Sequence, residues 1–301
     1  VFLLGVSSVF SAKMQLREKF LSVALAPIFY TGMICVGLYF FGKEWGLIAV
    51  GVSAIVGAGM HMLANAFAYF IDKGTLGFFW RKPEKAWKNF GSDFVLRTTN
   101  NAAFQINQSA DVWIASFLVS GAVSAFSFGT NVGHVLLSIL GFPVAHSLFP
   151  RLTKAKHQYE TQKKILLEGI GMIILLTVPV AVIGLIWSRE ILHLLFGISG
   201  DMLEMGAMVL RWTIVSSPFA CLTPVLSRLF LANDDVKTPT KISGTVLLVA
   251  TGTAAFISLF FFERGSTESI RGLAIGNFIA NTLSAGIFLL HAWRQFFLRS
   301  R

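Results

Sequence analysis

The chain has 301 residues, of which 54% are hydrophobic and 13% charged, with a formal net charge of +10 and a mean hydropathy of +0.69. Ordinary globular domains carry roughly 25% charged residues, so too little polar surface remains here to coat a water-soluble particle. The same numbers exclude a disordered tail, a secreted disulfide scaffold and a coiled coil. Cys35 and Cys221 both sit in apolar runs and read as small buried hydrophobes, not as metal ligands or disulfide partners.

Crossing the hydrocarbon core takes about 20 mostly apolar residues in a helix. In chain order, such stretches are Leu21–Gly42, Gly46–Phe70, Phe94–Ser120, Ala122–Phe149, Ile165–Trp187, Met205–Leu231, Ile242–Phe262 and Gly272–Leu290. Val1–Phe10 is apolar but too short to cross, and it lacks the basic start and cleavage site of a signal peptide. It reads as the tail of one further helix in a chain that is part of a longer protein. The expectation is an all-α, polytopic transmembrane bundle with eight full spans plus one partial.

Short cytoplasmic loops collect Lys and Arg. One set of alternate connections holds Lys13, Arg17 and Lys19; Lys73, Arg81, Lys82, Lys85 and Lys88; Arg151, Lys154, Lys156, Lys163 and Lys164; Lys237 and Lys241; and Arg294, Arg299 and Arg301. The other holds Lys43, Arg189, Arg264 and Arg271. A wrong set of spans would scramble this bias of 18 against 4, which places the first set and the C-terminus in the cytoplasm. Basic loops beside anionic headgroups account for the net charge without nucleic acid.

The longest polar connection interleaves Phe78, Phe79, Trp80, Trp87 and Phe90 with Arg81, Lys82, Lys85 and Lys88. That mixture suits a segment at the cytoplasmic interface, and a simple basic loop fits it as well. Either way it divides the chain into 1–70, a connector over 71–93, and a six-helix bundle over 94–301. In the span ahead of the connector, Gly46, Gly51, Gly57 and Gly59 permit close helix contact.

Ionisable groups inside spans usually face a bundle interior or an aqueous cavity. Arg97, Asn101, Phe104, Gln108 and Asp111 recur at steps of four, three, four and three, on one helix face. Ser124, Ser127, Asn131, His134 and Ser138 repeat in the same way on the next span. Two adjacent helices with polar stripes are able to line one cavity, or to bond across helices and hold the bundle together. Arg97 lies too far along its helix to pair with Asp111, about 21 Å at 1.5 Å per residue, so Asp111 needs another partner or sits near the outer mouth. No metal-ligand cluster, P-loop, nucleophile elbow or paired carboxylates are found, so neither an enzyme nor a bound cofactor or metal is expected.

Three stretches carry a resemblance. Gln105, Ile106 and Asp111, followed by the run IASFLVSGAVS from Ile114 to Ser124, resemble the junction of the seventh and eighth spans in the MurJ (MviN) lipid II flippases. Phe149-Pro150-Arg151-Leu152 resembles the close of that family's eighth span. RLFLANDDVKTPTKI, from Arg228 to Ile242, is similar to its signature loop, with Arg228, Asp235, Thr238 and Pro239 at the matching positions. The resemblance implies a two-lobed fold of the multidrug/oligosaccharidyl-lipid/polysaccharide exporter superfamily, in the bacterial cytoplasmic membrane. It further implies transfer of a lipid-linked pyrophosphate oligosaccharide between leaflets by alternating access, serving peptidoglycan and cell-wall biogenesis and cell shape. Partners are then that lipid and the surrounding membrane lipids. Cavity candidates are Arg97, Asn101, Gln108, Asp111, Asn131 and His134. Asn131 stands where the family usually has an arginine. Alternatives are an exporter of another lipid-linked polysaccharide or of drugs, and a transport-inactive membrane scaffold.

Overall fold

A computed structural model describes residues 1–17, 19–72, 86–156, 158–261 and 267–299, and within those helices the side chains of Arg97 and Asn101 lie outside the described residues. The chain divides into two compact units, Val1–Pro83 and Glu84–Arg301.

Unit 1 holds α1 (Phe2–Leu16), α2 (Phe20–Trp45) and α3 (Leu47–Ile71). Gly46, at φ +52°, makes the turn between α2 and α3, a conformation that glycine adopts without steric cost. Of the glycines expected at a helix contact, Gly57 serves as one, since a Cβ there would meet the Tyr30 carbonyl oxygen at 2.7 Å. Gly51 and Gly59 face open space, which corrects the expectation for them. At the end of α3, Asp72 pairs with Arg17 at 2.9 Å and with Lys19.

Unit 2 opens with α4 (Ala86–Ser116), which begins inside the expected 71–93 connector. Next come α5 (Ala122–Leu136), a π-turn (Leu137–Gly141) and α6 (Phe142–Lys154), continuous as one 33-residue rod, Ala122–Lys154. The π-turn lies just ahead of Pro143, whose ring cannot donate to the preceding turn and crowds it. Local widening relieves that conflict. Then follow α7 (Tyr159–Ile186), the short α8 (Ser188–Phe196), α9 (Gly200–Ala232), α10 (Lys237–Phe256, running into a second π-turn) and α11 (Ile270–Arg299).

Six helices among the described residues are long and apolar enough to cross a membrane: Leu21–Trp45, Leu47–Ile71, Ala122–Lys154, Tyr159–Ile186, Gly200–Ala232 and Thr267–Arg294. The expected spans Phe94–Ser120 and Ile242–Phe262 coincide with α4 and α10, helical but outside that set. The polar stripe lowers the hydropathy of α4.

The central element of unit 2 is α9. Half of its apolar window is buried, against 11% for Leu21–Trp45. It supplies Val209, Leu210 and Leu226 to three separate core clusters. Hydrophobic burial does not drive helix association within lipid, where close packing does, and small residues make α5–α6 fit α9. A Cβ on Gly129 would meet the Gly206 carbonyl oxygen at 2.8 Å. One on Gly133 would strike the Thr213 side chain, and one on Gly141 would reach Cys221 Cα at 3.2 Å. The order of these contacts makes the two rods run parallel, with residue numbers rising together along the seam.

Candidate functional site

The seam and α11 hold α4 so as to leave a hollow of about 220 Å³ in unit 2. Gln108, Asp111 and Val112 enter it from α4; Phe126, Ser127, Thr130, Asn131 and His134 from α5; Thr213 and Ser216 from α9; and Asn277 and Asn281 from α11. Here the two polar stripes meet. Repetition on one face puts Gln108 and Asp111 one turn apart, and Asn131 and His134 likewise.

Asp111 is 5% exposed, and a carboxylate at such depth needs a donor. The Asn277 amide supplies it, donating from Nδ2 to Asp111 Oδ2 at 3.2 Å. That is the partner Arg97 is too distant to provide. One turn along α11, Asn281 Nδ2 donates to Ser216 Oγ at 3.2 Å, and Ser216 donates to the Thr213 carbonyl at 2.8 Å. Thr130 donates to the Phe126 carbonyl at 2.7 Å, and Ser127 to the Val123 carbonyl at 2.8 Å. Most hydroxyls therefore spend their protons on their own helices and turn acceptor lone pairs to the hollow. Asn131 and His134 are exposed to it. Among its described lining residues the wall offers amides, hydroxyls, one imidazole and one carboxylate, and no Lys or Arg. Amides and hydroxyls of this kind hydrogen-bond neutral polar groups.

Of the sequence candidates, Gln108, Asp111, Asn131 and His134 come together, while Arg97 and Asn101 lie outside the described side chains. Residue-by-residue reading missed Thr130, Thr213, Ser216, Asn277 and Asn281. The spacing of Thr213 with Ser216, and of Asn277 with Asn281, at three and four in otherwise apolar spans, is the signal that reveals them.

The signature loop lies apart from the hollow and has a structural logic of its own. Its first half ends α9: the Asp235 N–H bonds to the Phe230 carbonyl at 2.9 Å and the Asp234 N–H to the Leu231 carbonyl at 3.2 Å. This is the paired closure of a Schellman stop, with Asp234 at φ +61° in the position usually held by glycine. The second half starts α10: Asp235 Oδ1 accepts the Thr238 N–H at 3.0 Å, and buried Pro239 falls in the first turn, where no intrahelical donor is required. Asn233 and Gln162 exchange amide hydrogen bonds at 3.3 and 3.4 Å, and Lys156 pairs with Asp234, so the loop is fastened to the α6–α7 connection. Arg228 sits one turn before this stop, beside His146.

The fold has solved counterparts. An inward-facing multidrug resistance MATE family transporter of the MOP superfamily matches 96% of this chain and 67% of its own at TM-score 0.81 and 14% identity. A MOP superfamily transporter from Pyrococcus furiosus matches 98% of this chain and 67% of its own at TM-score 0.70 and 15% identity. At such identities the likeness is one of fold. Among curated proteins, the probable lipid II flippase MurJ of Borreliella burgdorferi is 23% identical, covering 81% of this chain and 49% of its own length. That of Thermotoga maritima is also 23% identical, covering 91% and 54%. The chain thus spans about half the length of the curated relatives it matches. The family model described as lipid II flippase MurJ matches residues 1–300. With six helices apolar enough to cross a membrane, the chain is part of a multi-pass membrane protein and belongs to the lipid II flippase MurJ family.

Proposed function

We propose that the full-length protein is a flippase for a lipid II-type peptidoglycan precursor, moving it from the inner to the outer leaflet of the bacterial cytoplasmic membrane by alternating access between two lobes. Family membership over residues 1–300 carries this reading. In it, α4 and α10 complete eight full spans with α1 as the end of one more, 1–70 belongs to the N-terminal lobe, and 94–301 forms the six-helix C-terminal lobe. The 18 to 4 bias of basic residues supports a cytoplasmic C-terminus.

Within this reading the hollow of unit 2 receives the neutral part of the headgroup. Sugar hydroxyls and peptide amides are what Gln108, Asn131, Asn277 and Asn281 are equipped to bond, and Asp111 accepts from hydroxyl or amide donors. By sequence spacing alone, Arg97 and Asn101 share that face of α4. Asn131 in place of a cation, with no Lys or Arg among the described lining residues, favours a second reading, export of another lipid-linked polysaccharide or of drugs. Expression of the full-length gene in cells depleted of their own lipid II flippase tests the two. Restored wall synthesis and cell shape are expected. Normal membrane insertion without rescue, accompanied by drug efflux, would decide for the second reading.

A further inference from the structure

The helix α8 has nine residues, about 14 Å at 1.5 Å per residue, and cannot cross a hydrocarbon core of about 30 Å. Gly197 ends it: at φ +63°, in the left-handed region, its N–H bonds to the His193 carbonyl at 2.8 Å. At about 100° per residue the side chains of α8 fall into three sectors. Ser188, Leu192 and Phe196 form the first. Ser188 and Leu192 are fully buried, Leu192 packs with Ala207 and Leu210 of α9, and the Phe196 ring stacks on Phe128 at 4.4 Å between centroids. Arg189, Glu190 and His193 form the second, all exposed. Arg189 pairs with Glu204, and His193 Nδ1 lies 2.9 Å from the Ile198 carbonyl oxygen. Ile191, Leu194 and Leu195 form the third, with Leu194 85% and Leu195 60% exposed.

A helix between protein and water needs two faces, one apolar and one polar. An exposed apolar sector beside the polar one is what a helix presents at a boundary of lipid and water. Two neighbours set its depth. The apolar sector continues the exposed side of α7, where Ile183, Ile186 and Trp187 close a span, and tryptophan collects in the headgroup layer. On α9, exposed Arg211 donates from Nε to the buried Ser188 Oγ at 2.8 Å, which ties a guanidinium to the first turn of α8. None of the ion pairs among the described residues includes Arg211. A guanidinium without a counter-charge stays out of hydrocarbon and reaches for the interface, so that turn belongs at headgroup level.

We propose that α8 is an interfacial helix whose partner is the lipid surface. It lies along the boundary of headgroups and acyl chains in the leaflet opposite the basic loops, with Ile191, Leu194 and Leu195 on acyl chains and Arg189, Glu190 and His193 in water. Through Leu192 and Ser188 it holds the first turns of α9 at a fixed depth. The inference requires that α7 cross the membrane and is independent of what the protein transports, so it stands or falls apart from the flippase reading.

The test uses the full-length protein in liposomes of zwitterionic lipid. Phosphatidylcholine with a photoreactive diazirine on its acyl chain is cross-linked to the wild-type protein, and the adducts are located by mass spectrometry. Adducts on Ile191, Leu194 or Leu195, and none on Glu190 or His193, are expected. In a second measurement, nitroxides are placed by His193→Cys and by Leu194→Cys in protein carrying Cys35→Ser and Cys221→Ala. The ratio of collision with oxygen to collision with a water-soluble nickel chelate is expected to be several-fold higher at Leu194→Cys than at His193→Cys. Equal ratios at the two positions overturn the proposal by placing the apolar sector in water. A label at Leu194→Cys shielded from both reagents overturns it in favour of a protein partner. If the cysteine-replaced protein does not fold, the cross-linking decides: adducts on Ile183 and Ile186 of α7 with none on α8 overturn the proposal.

Discussion

In unit 1 the buried polar residues face one another. Ser7 Oγ lies 2.8 Å from His61 Nδ1, and Asn65 Nδ2 donates to Ser7 Oγ at 3.2 Å and to the His61 carbonyl at 3.3 Å. Ser7 and Asn65 are fully buried, and the knot ties α1 to α3. In unit 2 residues of the same types stand back from each other around a hollow, where Asp111–Asn277 and Ser216–Asn281 are the cross-helix bonds among the described lining residues. The contrast separates a polar cluster that ties two helices together from one that surrounds a hollow. The first spends its donors within the cluster, leaving only the Asn65 Oδ1 without a partner; the second leaves outer lone pairs and amides unspent.

The comparison breaks most sharply at the seam that keeps the hollow open. Gly133→Val drives a side chain into Thr213, and overpacking of this kind costs about 1–3 kcal/mol or more. Loss of monodisperse protein in detergent is the expected outcome, whereas Gly51→Val, facing open space in unit 1, leaves the elution profile unchanged.

A crossed pair sharpens it. Asp111→Asn preserves shape and an acceptor for Asn277, so the melting temperature stays near wild type while transport falls about tenfold, as expected for loss of a charge-assisted hydrogen bond. Asn65→Ala strips the knot of its amide, so stability falls by about 1–3 kcal/mol and transport per folded molecule is retained. Stability curves and a rescue assay on the same variants measure both. The reverse pattern would erase the distinction between the two units.

The smallest effect comes from the rim of unit 1. Hydrogen bonds from Lys19 and Arg17 hold the Asp72 carboxyl below its usual range. Because the folded-state value is depressed, the contribution is fully present above the ordinary aspartate range near pH 4 and disappears as pH falls through the folded value. The expected result is a slightly lower melting temperature for Asp72→Asn at pH 7, with the two proteins converging as pH falls through that depressed value. A difference that persists in acid would remove the ion pairs from the account.

Much of the site was legible because it repeats. Steps of three and four placed Gln108 with Asp111, and Asn131 with His134, each on one face. The distance argument against Arg97 left Asp111 either another partner or a place near the outer mouth, and Asn277 is that partner. Asn277 itself was not legible, since nothing near Asp111 in the chain says which face of α11 will meet α4. The roles of Asp235, Thr238 and Pro239 in stopping α9 and starting α10 follow from turn chemistry, but their fastening to the α6–α7 connection through Gln162 and Lys156 depends on packing.

By itself, the sequence determined that this chain is helical and lives in lipid. Backbone N–H and C=O groups in hydrocarbon must be satisfied within their own segment, and apolar runs of this length leave few other solutions. Tertiary structure alone decided which polar residues share a hollow and which arginine stands opposite His146. Those meetings depend on the register between two parallel rods, set where Gly129, Gly133 and Gly141 let α9 approach. Contacts between residues so distant in the chain leave no local period to read.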